Sequence, residues 1–385
     1  MAASLRFLHA GQCRLDLAVT GVGSVPRPVQ TTLEDASLIA FDRLMQAAID
    51  REVDFVLLGG DTFRADDRSL RARLRIEQGL AKLAEAGIAV VANVGQLDSA
   101  AVWYDLSLPE EVTVLTDRHE DATIETANGT AIVHRVGERF DAPARCDLAI
   151  GLVTTGYATY EDDAEYGDFD YIGQAENVPH TTELTRGVVH DPGALTPATL
   201  DDDESIGATL VEMTRGGHLK TTPIALSPVR CRHEELTVDE STDIEALAEQ
   251  MQERMLELRD EAGCELTLVR WTIDGEGPVR NDLTLDGTWD DLVELIDDER
   301  PRLHRLQNEA AESTQDEVSE MLAAELETWF DETEQSTDEL VETVSQRTLR
   351  TRLADAADFV DERKRTLAEA AIACDGPELW ARDAA

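Results

Sequence analysis

The chain has 385 residues and carries 80 acidic against 34 basic side chains, which gives a formal net charge of −46 at pH 7. Hydrophobic residues make up 42% of the sequence, which is enough for buried cores and excludes a wholly disordered chain. The length favours two or three domains. No apolar run approaches the roughly 18 residues of a membrane span, and the first residues lack the apolar segment of a signal peptide. We therefore expect a cytoplasmic protein without membrane helices.

The make-up of the charge is unusual, because only three of the basic residues are lysines (Lys82, Lys220 and Lys364). Abundant Asp and Glu with very little Lys is typical of proteins from organisms that keep molar salt in the cytoplasm, so we expect a halophilic source. At about 1 M salt the Debye length falls to about 3 Å, and the net charge then neither indicates nor excludes a DNA partner. The five cysteines are scattered without a Cys-x-x-Cys pair, which predicts free thiols.

The first hundred residues alternate between predicted strands and predicted helices. Apolar runs at 5–9, 53–58 and 88–94 predict buried strands, and apolar residues at helical spacing predict helices over 32–49 and 69–86. The second strand ends in Gly59-Gly60-Asp61. Because functional residues collect at the carboxyl ends of such strands, Asp61 and Asp98 are candidate site residues.

Short strands are predicted between residues 112 and 228, with a hairpin at Asn128-Gly129. A helix over 243–261 and a strand over 266–273 predict a small second domain. Beyond residue 301 there is no strand signal, and apolar stripes predict helices over 316–330, 338–357 and 359–372. The sequence thus predicts an α/β fold of two packed mixed sheets flanked by helices (1–235), a small α+β domain (236–300) and a helical C-terminal region (301–385).

Five landmarks in order carry a resemblance to a known family: RFLHAGQCRLD, VDFVLLGGDTF, AVVANVGQLD, DLAIGLVTTG and DYIGQAE, which begin at residues 6, 53, 89, 147 and 170. The chain resembles SbcD-like DNA repair exonucleases of the YhaO type, which belong to the calcineurin-like metallophosphoesterases. The resemblance implies an αββα sandwich, a capping domain over 236–300 and a catalytic centre of two metal ions about 3.5–4 Å apart. It also implies an SbcC-like coiled-coil ATPase as partner and a homodimer.

At the positions that the resemblance places around the metals, the sequence departs from the family pattern. Asp61 is the one matching metal ligand, and Asp98 matches a residue that supports the ligands. The remaining positions carry Gln12, Arg14, Gln96, Leu97, Thr154, Gln174 and Glu176. Arginine has no lone pair to offer a metal, and the amides and hydroxyl are weak neutral ligands. We call these nine positions the vestigial pocket and expect no catalytic residue and no cofactor there.

These departures predict a pseudo-nuclease, a DNA-repair exonuclease homologue that has lost catalysis and scaffolds or regulates an SbcC-like ATPase. DNA would then be contacted through the complex. Two alternatives stay open. One is an active exonuclease with an atypical manganese site, and the other is an interaction protein without a DNA role.

Three local hypotheses accompany this interpretation. The Arg14 guanidinium is expected to occupy the place of a metal and to form an ion pair with Asp61, because an unpaired buried carboxylate is costly. Glu176 with His180 or His190 either forms a relocated metal site or, as we favour, consists of polar loop residues. Five arginines near the second helix either contact phosphate or, as we favour, pair with acidic neighbours; they are Arg64, Arg68, Arg71, Arg73 and Arg75.

Overall fold

The computed structural model describes residues 4–22, 25–136, 146–153, 169–176, 178–185, 187–200, 202, 207–214, 218–258, 264–283 and 287–296, and the backbone of 302–307. The helices predicted over 316–330, 338–357 and 359–372 lie outside these residues. The described residues up to Leu306 belong to one unit of the chain, Met1–Leu306. Across the described part of the chain, no helix is long and apolar enough to cross a membrane.

The described helices are α1 (Arg27–Asp50), α2 (Leu70–Glu85), α3 (Ala100–Tyr104), α4 (Ile244–Glu257), α5 (Pro278–Asp282) and α6 (Thr288–Ile296). The described strands are β1 (Ser4–Gln12), β2 (Phe55–Gly60), β3 (Ala89–Asn93), β4 (Val112–Leu115), β5 (Asp121–Thr126), β6 (Gly129–Val136), β7 (Leu148–Val153), β8 (Tyr171–Gly173), β9 (His180–Glu183), β10 (Val188–Asp191), β11 (Gly207–Thr214), β12 (Leu219–Ala225), β13 (Val229–Val238), β14 (Leu266–Gly275) and β15 (Arg302–Gln307).

Two six-stranded mixed sheets form the body of the fold. The first has the order β12-β11-β1-β2-β3-β4, and the second has the order β5-β6-β7-β8-β10-β9. Strands β1 to β4 are mutually parallel, and β11 and β12 extend that sheet in antiparallel fashion. In the second sheet β6, β7, β8 and β10 are parallel, and β5 and β9 close its two sides as antiparallel strands.

Alternation along the strands divides the core into layers, because successive side chains of a strand point to opposite faces. Phe7 of β1 and Phe55 of β2 stack at 4.8 Å between ring centroids and face the second sheet. Leu8 and Val56, one residue further on each strand, join Phe41 of α1 in the core on the outer face of the first sheet. The predicted α/β fold of two packed mixed sheets with flanking helices is confirmed.

A smaller α+β element follows. Strands β13 and β14 pair in parallel over ten residue pairs, with α4 as the connection between them. Trp271 of β14 is fully buried against Leu247 and Met251 of α4. The Asp243 side chain caps α4 by accepting a hydrogen bond from the Ala246 N–H at 2.9 Å.

Two sequence-based expectations need correction. Strand β15 lies beyond residue 301, where the sequence gives no strand signal, because its backbone is ordered by pairing beside β14 and tertiary pairing overrides weak local propensity. Helix α1 begins at Arg27, five residues before the predicted start, since Pro28 is tolerated in the first turn. The hairpin at Asn128-Gly129 is confirmed by the antiparallel pairing of β5 and β6.

Candidate functional site

The carboxyl ends of β1 and β2 bring the first two landmarks together. Gln12 lies opposite Gly60 at the end of the paired register, and the Arg14 N–H then donates to the Asp61 carbonyl at 3.0 Å. Arg14 and Asp61 both have positive φ angles, of 44° and 48°. A left-handed conformation is costly for residues with a Cβ, and it persists where the surrounding structure enforces it. Each chain segment therefore turns away from its strand at a residue with a strained left-handed backbone, Arg14 after β1 and Asp61 after β2.

The carboxylate of Asp61 is buried, and each of its two oxygens accepts an N–H donor. It is 3% exposed. Its Oδ2 accepts from the Gln12 amide at 3.2 Å, and its Oδ1 accepts from the Leu97 backbone N–H at 2.8 Å. A Cβ on Gly95 would lie 2.2 Å from the Asp61 Oδ1, so the loop can approach this carboxylate because residue 95 is glycine. The one retained ligand position thus accepts hydrogen bonds from two residues of the vestigial pocket.

Asp98 lies beneath this loop and ties it to the neighbouring strands. It is 2% exposed and accepts N–H groups from Gly95 at 2.6 Å, Thr62 at 3.1 Å and the Trp103 indole at 3.0 Å. Burial raises the pKa of Asp98, and the three donors oppose that shift. Asp98 therefore has a structural role in shaping the loop over residues 95–98.

Arg14 and Asp61 do not form the expected ion pair. Among the described residues the Arg14 side chain makes no ion pair or hydrogen bond, and its buried Nε has no partner. Burial lowers the pKa of the guanidinium, while Asp61 and Asp202 lie close enough to raise it in part. The two segments are joined instead by the backbone bond described above, and the Asp61 oxygens accept from the Gln12 amide and the Leu97 N–H.

The last landmark is placed by β8 and β10. Gln174 is buried and its N–H donates to the His190 carbonyl at 2.9 Å, whereas Glu176 is exposed and its N–H donates to Asp191 at 2.5 Å. His180 lies on β9 and His190 on β10. The favoured interpretation of both histidines as loop residues was therefore wrong. The sequence pattern of β9 and β10 is too short to predict each strand, and the two strands are ordered by their pairing at the edge of the second sheet.

Sequence reasoning missed a group of buried polar residues between the two sheets. The His9 Nδ1 lies 2.7 Å from the Tyr171 hydroxyl, and the His190 Nε2 lies 2.9 Å from the Thr209 hydroxyl. Burial lowers the pKa of His9, and it lowers that of His190 to about 4. Each pair joins one sheet to the other. No local pattern marks these residues, because their partners are far away along the chain.

A second missed residue is Arg135 of β6, which reaches the end of β3. It donates to the Asn93 side chain and, at 2.7 Å, to the Val94 carbonyl, and it forms an ion pair of 3.3 Å with the exposed Asp117. The Asn93 amide in turn donates to the Gly59 carbonyl at 3.2 Å. These bonds fix the strand ends from which the loops over 61–63 and 95–98 start.

The donor set of the vestigial pocket does not fit a two-metal centre. Within the described part of the chain, no three His, Cys, Asp or Glu side chains converge on one point. The groups nearest to Asp61 are N–H donors, and Arg14 adds a positive charge. Gln96 is exposed, Leu97 has an apolar side chain, and Thr154 lies outside the described residues. Cations are bound by oxygen, sulfur and imidazole lone pairs; Arg14 and Leu97 supply none from their side chains, and the amide oxygens of the glutamines are weak neutral ligands.

Pairing of the arginines near α2 with acidic residues is confirmed for four of the five. Arg71 pairs with Asp16 and Asp35, and the others pair within their own segment or with α1. The further pairs are Arg64–Asp67, Arg73–Glu77 and Arg75–Asp42. Arg68 is exposed at the residue before the α2 cap, with a φ of 48°. The surface around α2 is therefore largely charge-compensated.

Part of the chain is similar in sequence to a known protein. The chain is 28% identical over 145 residues to the uncharacterized metallophosphoesterase YhaO of Bacillus subtilis (strain 168), a match that covers 37% of this chain and 36% of that protein. The matched region thus spans just over a third of the relative's length. No protein-family model matches the chain.

Among solved structures, TT1561 of Thermus thermophilus is 14% identical, with a TM-score of 0.35 over 57% of this chain and 98% of that one. A dimetal phosphatase from Danio rerio is 8% identical, with a TM-score of 0.36 over 59% of this chain and 100% of that one. Neither score is high enough to inform the site. Over the 145 matched residues the chain is similar to a protein described as a metallophosphoesterase, and its described residues include a body of two packed mixed sheets.

Proposed function

We propose that this protein is a pseudo-nuclease, an SbcD-like relative that has lost the two-metal centre and serves as a non-catalytic subunit in DNA repair. Its proposed partner is an SbcC-like coiled-coil ATPase, which it would scaffold or regulate in the cytoplasm of a halophile. DNA would be reached through that complex, and the protein would form a homodimer as SbcD-like proteins often do.

The surroundings of Asp61 carry the proposal. Both oxygens of this carboxylate already accept N–H groups, from Gln12 and from Leu97, and a cation would compete with these donors for the oxygens. The Gln12 amide turns its nitrogen toward Asp61, while its own Oε1 is buried without a hydrogen-bond partner. The guanidinium of Arg14 stands close by. A divalent cation would need to displace these donors and overcome the repulsion of the arginine.

The first test is metal content and nuclease activity of the full chain, purified in molar KCl and equilibrated with manganese. We expect close to zero metal per chain and no release of nucleotides from double-stranded DNA. Two tightly held metal ions together with manganese-dependent degradation would establish the active exonuclease instead. The matched positive control introduces, in one variant, the residues that the family resemblance implies at these positions, Q12D/R14H/Q96N/L97H/T154H/Q174H/E176H, and should gain manganese binding if the framework is otherwise intact.

The partner is tested separately. The full chain should co-purify in molar KCl with a coiled-coil ATPase from the same cell, and the ATPase gene should lie beside its own. Absence of an ATPase among the co-purifying proteins, with the chain folded and present in excess, would favour an interaction protein without a DNA role.

A further inference from the structure

The Arg14 side chain combines two features: its Nε is buried without a hydrogen-bond partner, and among the described residues its guanidinium forms no ion pair. Nine other arginines, on the two-sheet body and on the smaller α+β element, form ion pairs with acidic residues; they are Arg6, Arg43, Arg64, Arg71, Arg73, Arg75, Arg135, Arg254 and Arg280. Arg14 is half-buried, and its Nε is shielded from solvent without a hydrogen-bond partner among the described residues. An unsatisfied buried donor on a charged group is costly, so this donor calls for an acceptor that the described chain does not supply.

The backbone holds Arg14 in place whether or not an acceptor is present. The N–H groups of Arg14 and Leu15 donate to the carbonyls of Asp61 and Thr62 at 3.0 and 2.9 Å. These two bonds fix the left-handed conformation at Arg14 and tie it to the end of β2. The guanidinium is thus presented by a rigid strand-end, and binding a ligand would order little additional chain.

Two carboxylates that act on the charge of Arg14 have hydrogen-bond partners of their own. Asp61 accepts from Gln12 and Leu97, and the Asp202 Oδ2 accepts from the N–H groups of Ala198 and Thr199 at 2.8 and 3.0 Å. A second guanidinium, that of Arg64, is close enough to affect the charge of Arg14. Its ion pair with the half-exposed Asp67 is long, at 3.8 Å.

We propose that Arg14, supported by Arg64, forms a metal-independent binding site for an oxyanion of the phosphate class, either inorganic phosphate or the terminal phosphate of a nucleic acid. This inference rests on the proposed loss of the metals, because a guanidinium takes the place of the cations. The planar guanidinium donates paired N–H groups to phosphate oxygens, and such charge-assisted bonds are among the stronger hydrogen bonds in proteins. A dianionic phosphate is also attracted by the positive charges of both arginines, and this attraction is stronger than that of a singly charged surface carboxylate. The site captures the anion without cleaving it.

The test is isothermal titration of the full chain in molar KCl with EDTA present, using inorganic phosphate, a short 5′-phosphorylated oligonucleotide and the same oligonucleotide without the phosphate. We expect binding of phosphate-bearing ligands without metal, and R14Q should weaken it about tenfold or more. Equal binding of free phosphate and the phosphorylated oligonucleotide indicates a small-anion site. Binding of the phosphorylated oligonucleotide alone indicates a nucleic-acid end.

Variants keep the result interpretable. R51Q removes the same charge from a half-buried arginine at the C-terminal end of α1. This arginine precedes the amino end of β2, whereas Arg14 lies at the carboxyl end of that strand, and R51Q should bind like wild type. R14K keeps the charge but loses the fork of donors, and should bind more weakly than wild type, which separates recognition from misfolding of R14Q. R64Q should weaken binding less than R14Q does. Circular dichroism of each variant checks the fold.

Two outcomes overturn the inference in different ways. Absence of phosphate binding both in EDTA and in manganese, or binding that R14Q leaves unchanged, removes the Arg14 site and leaves the proposed loss of metals standing. Phosphate binding that appears only with manganese overturns both, because the metal centre would then be functional.

Discussion

Asp191 offers a quantitative test of how burial changes the titration of a carboxyl group in this fold. It is fully buried at the end of β10 and accepts the N–H groups of Gly193 at 2.7 Å and Glu176 at 2.5 Å. Burial raises its pKa from 3.8 to about 6, with the two backbone donors and His180 opposing the shift and Glu176 adding to it. The variant D191N replaces this carboxyl by a group that does not titrate.

The sign and size follow from proton linkage. Since the folded pKa lies above the unfolded one, the native state binds more protons between pH 3.8 and about 6, and the stability contributed by Asp191 falls as the pH rises through this range. The full difference corresponds to about 3 kcal/mol. Between pH 5 and pH 8, a range that avoids the isoelectric point of about 4.3, the accessible part is about 1.4 kcal/mol.

The measurement is urea unfolding of wild type and D191N in molar KCl at pH 5 and pH 8, followed by circular dichroism. We expect the stability of wild type relative to D191N to be about 1.4 kcal/mol greater at pH 5 than at pH 8. D66N, which removes an exposed carboxylate, controls for the loss of one charge. A relative stability that is the same at both pH values would refute the argument that burial of Asp191 disfavours its charged form.

Three further substitutions probe the loop over residues 95–98 and the link between the sheets. G95A should lower the unfolding free energy by about 3 kcal/mol or more, because its Cβ would lie 2.2 Å from the Asp61 Oδ1 and 2.4 Å from the Asp61 nitrogen; G87A, where the space is open and φ is +71°, should cost only about 1 kcal/mol in the same urea assay. W103F removes one of three donors to buried Asp98 and should cost about 1–3 kcal/mol, with little further loss when it is combined with D98N in a double-mutant cycle. T209V leaves the His190 Nε2 without its partner and should cost about 1–2 kcal/mol; T222V, on the neighbouring strand and only half-buried, should cost less, and equal losses would argue that the histidine link contributes nothing.

The pattern of apolar residues was sufficient to predict the two-sheet body. Runs such as 53–58 and 88–94 are long and apolar enough to specify buried parallel strands, and Ser69 marks the start of α2, where its hydroxyl accepts the Ala72 N–H. The sequence did not predict strands as short as β8 and β10 one by one, because three or four residues carry too little periodicity. Their positions are set by pairing with neighbours.

For the vestigial pocket, too, part of the chemistry follows from the sequence and part follows only from the tertiary structure. Residue type alone decides which side chains have lone pairs for a metal, so the sequence by itself determined how poorly Gln12, Arg14, Gln96 and Gln174 suit the ligand positions that the family resemblance implies for them. Only the tertiary structure decided that the Gln12 amide and the Leu97 N–H donate to the Asp61 carboxylate and that the buried Nε of Arg14 has no hydrogen-bond partner among the described residues. These outcomes depend on strand register, which brings together groups 36 and 49 residues apart, and no local pattern encodes such distances.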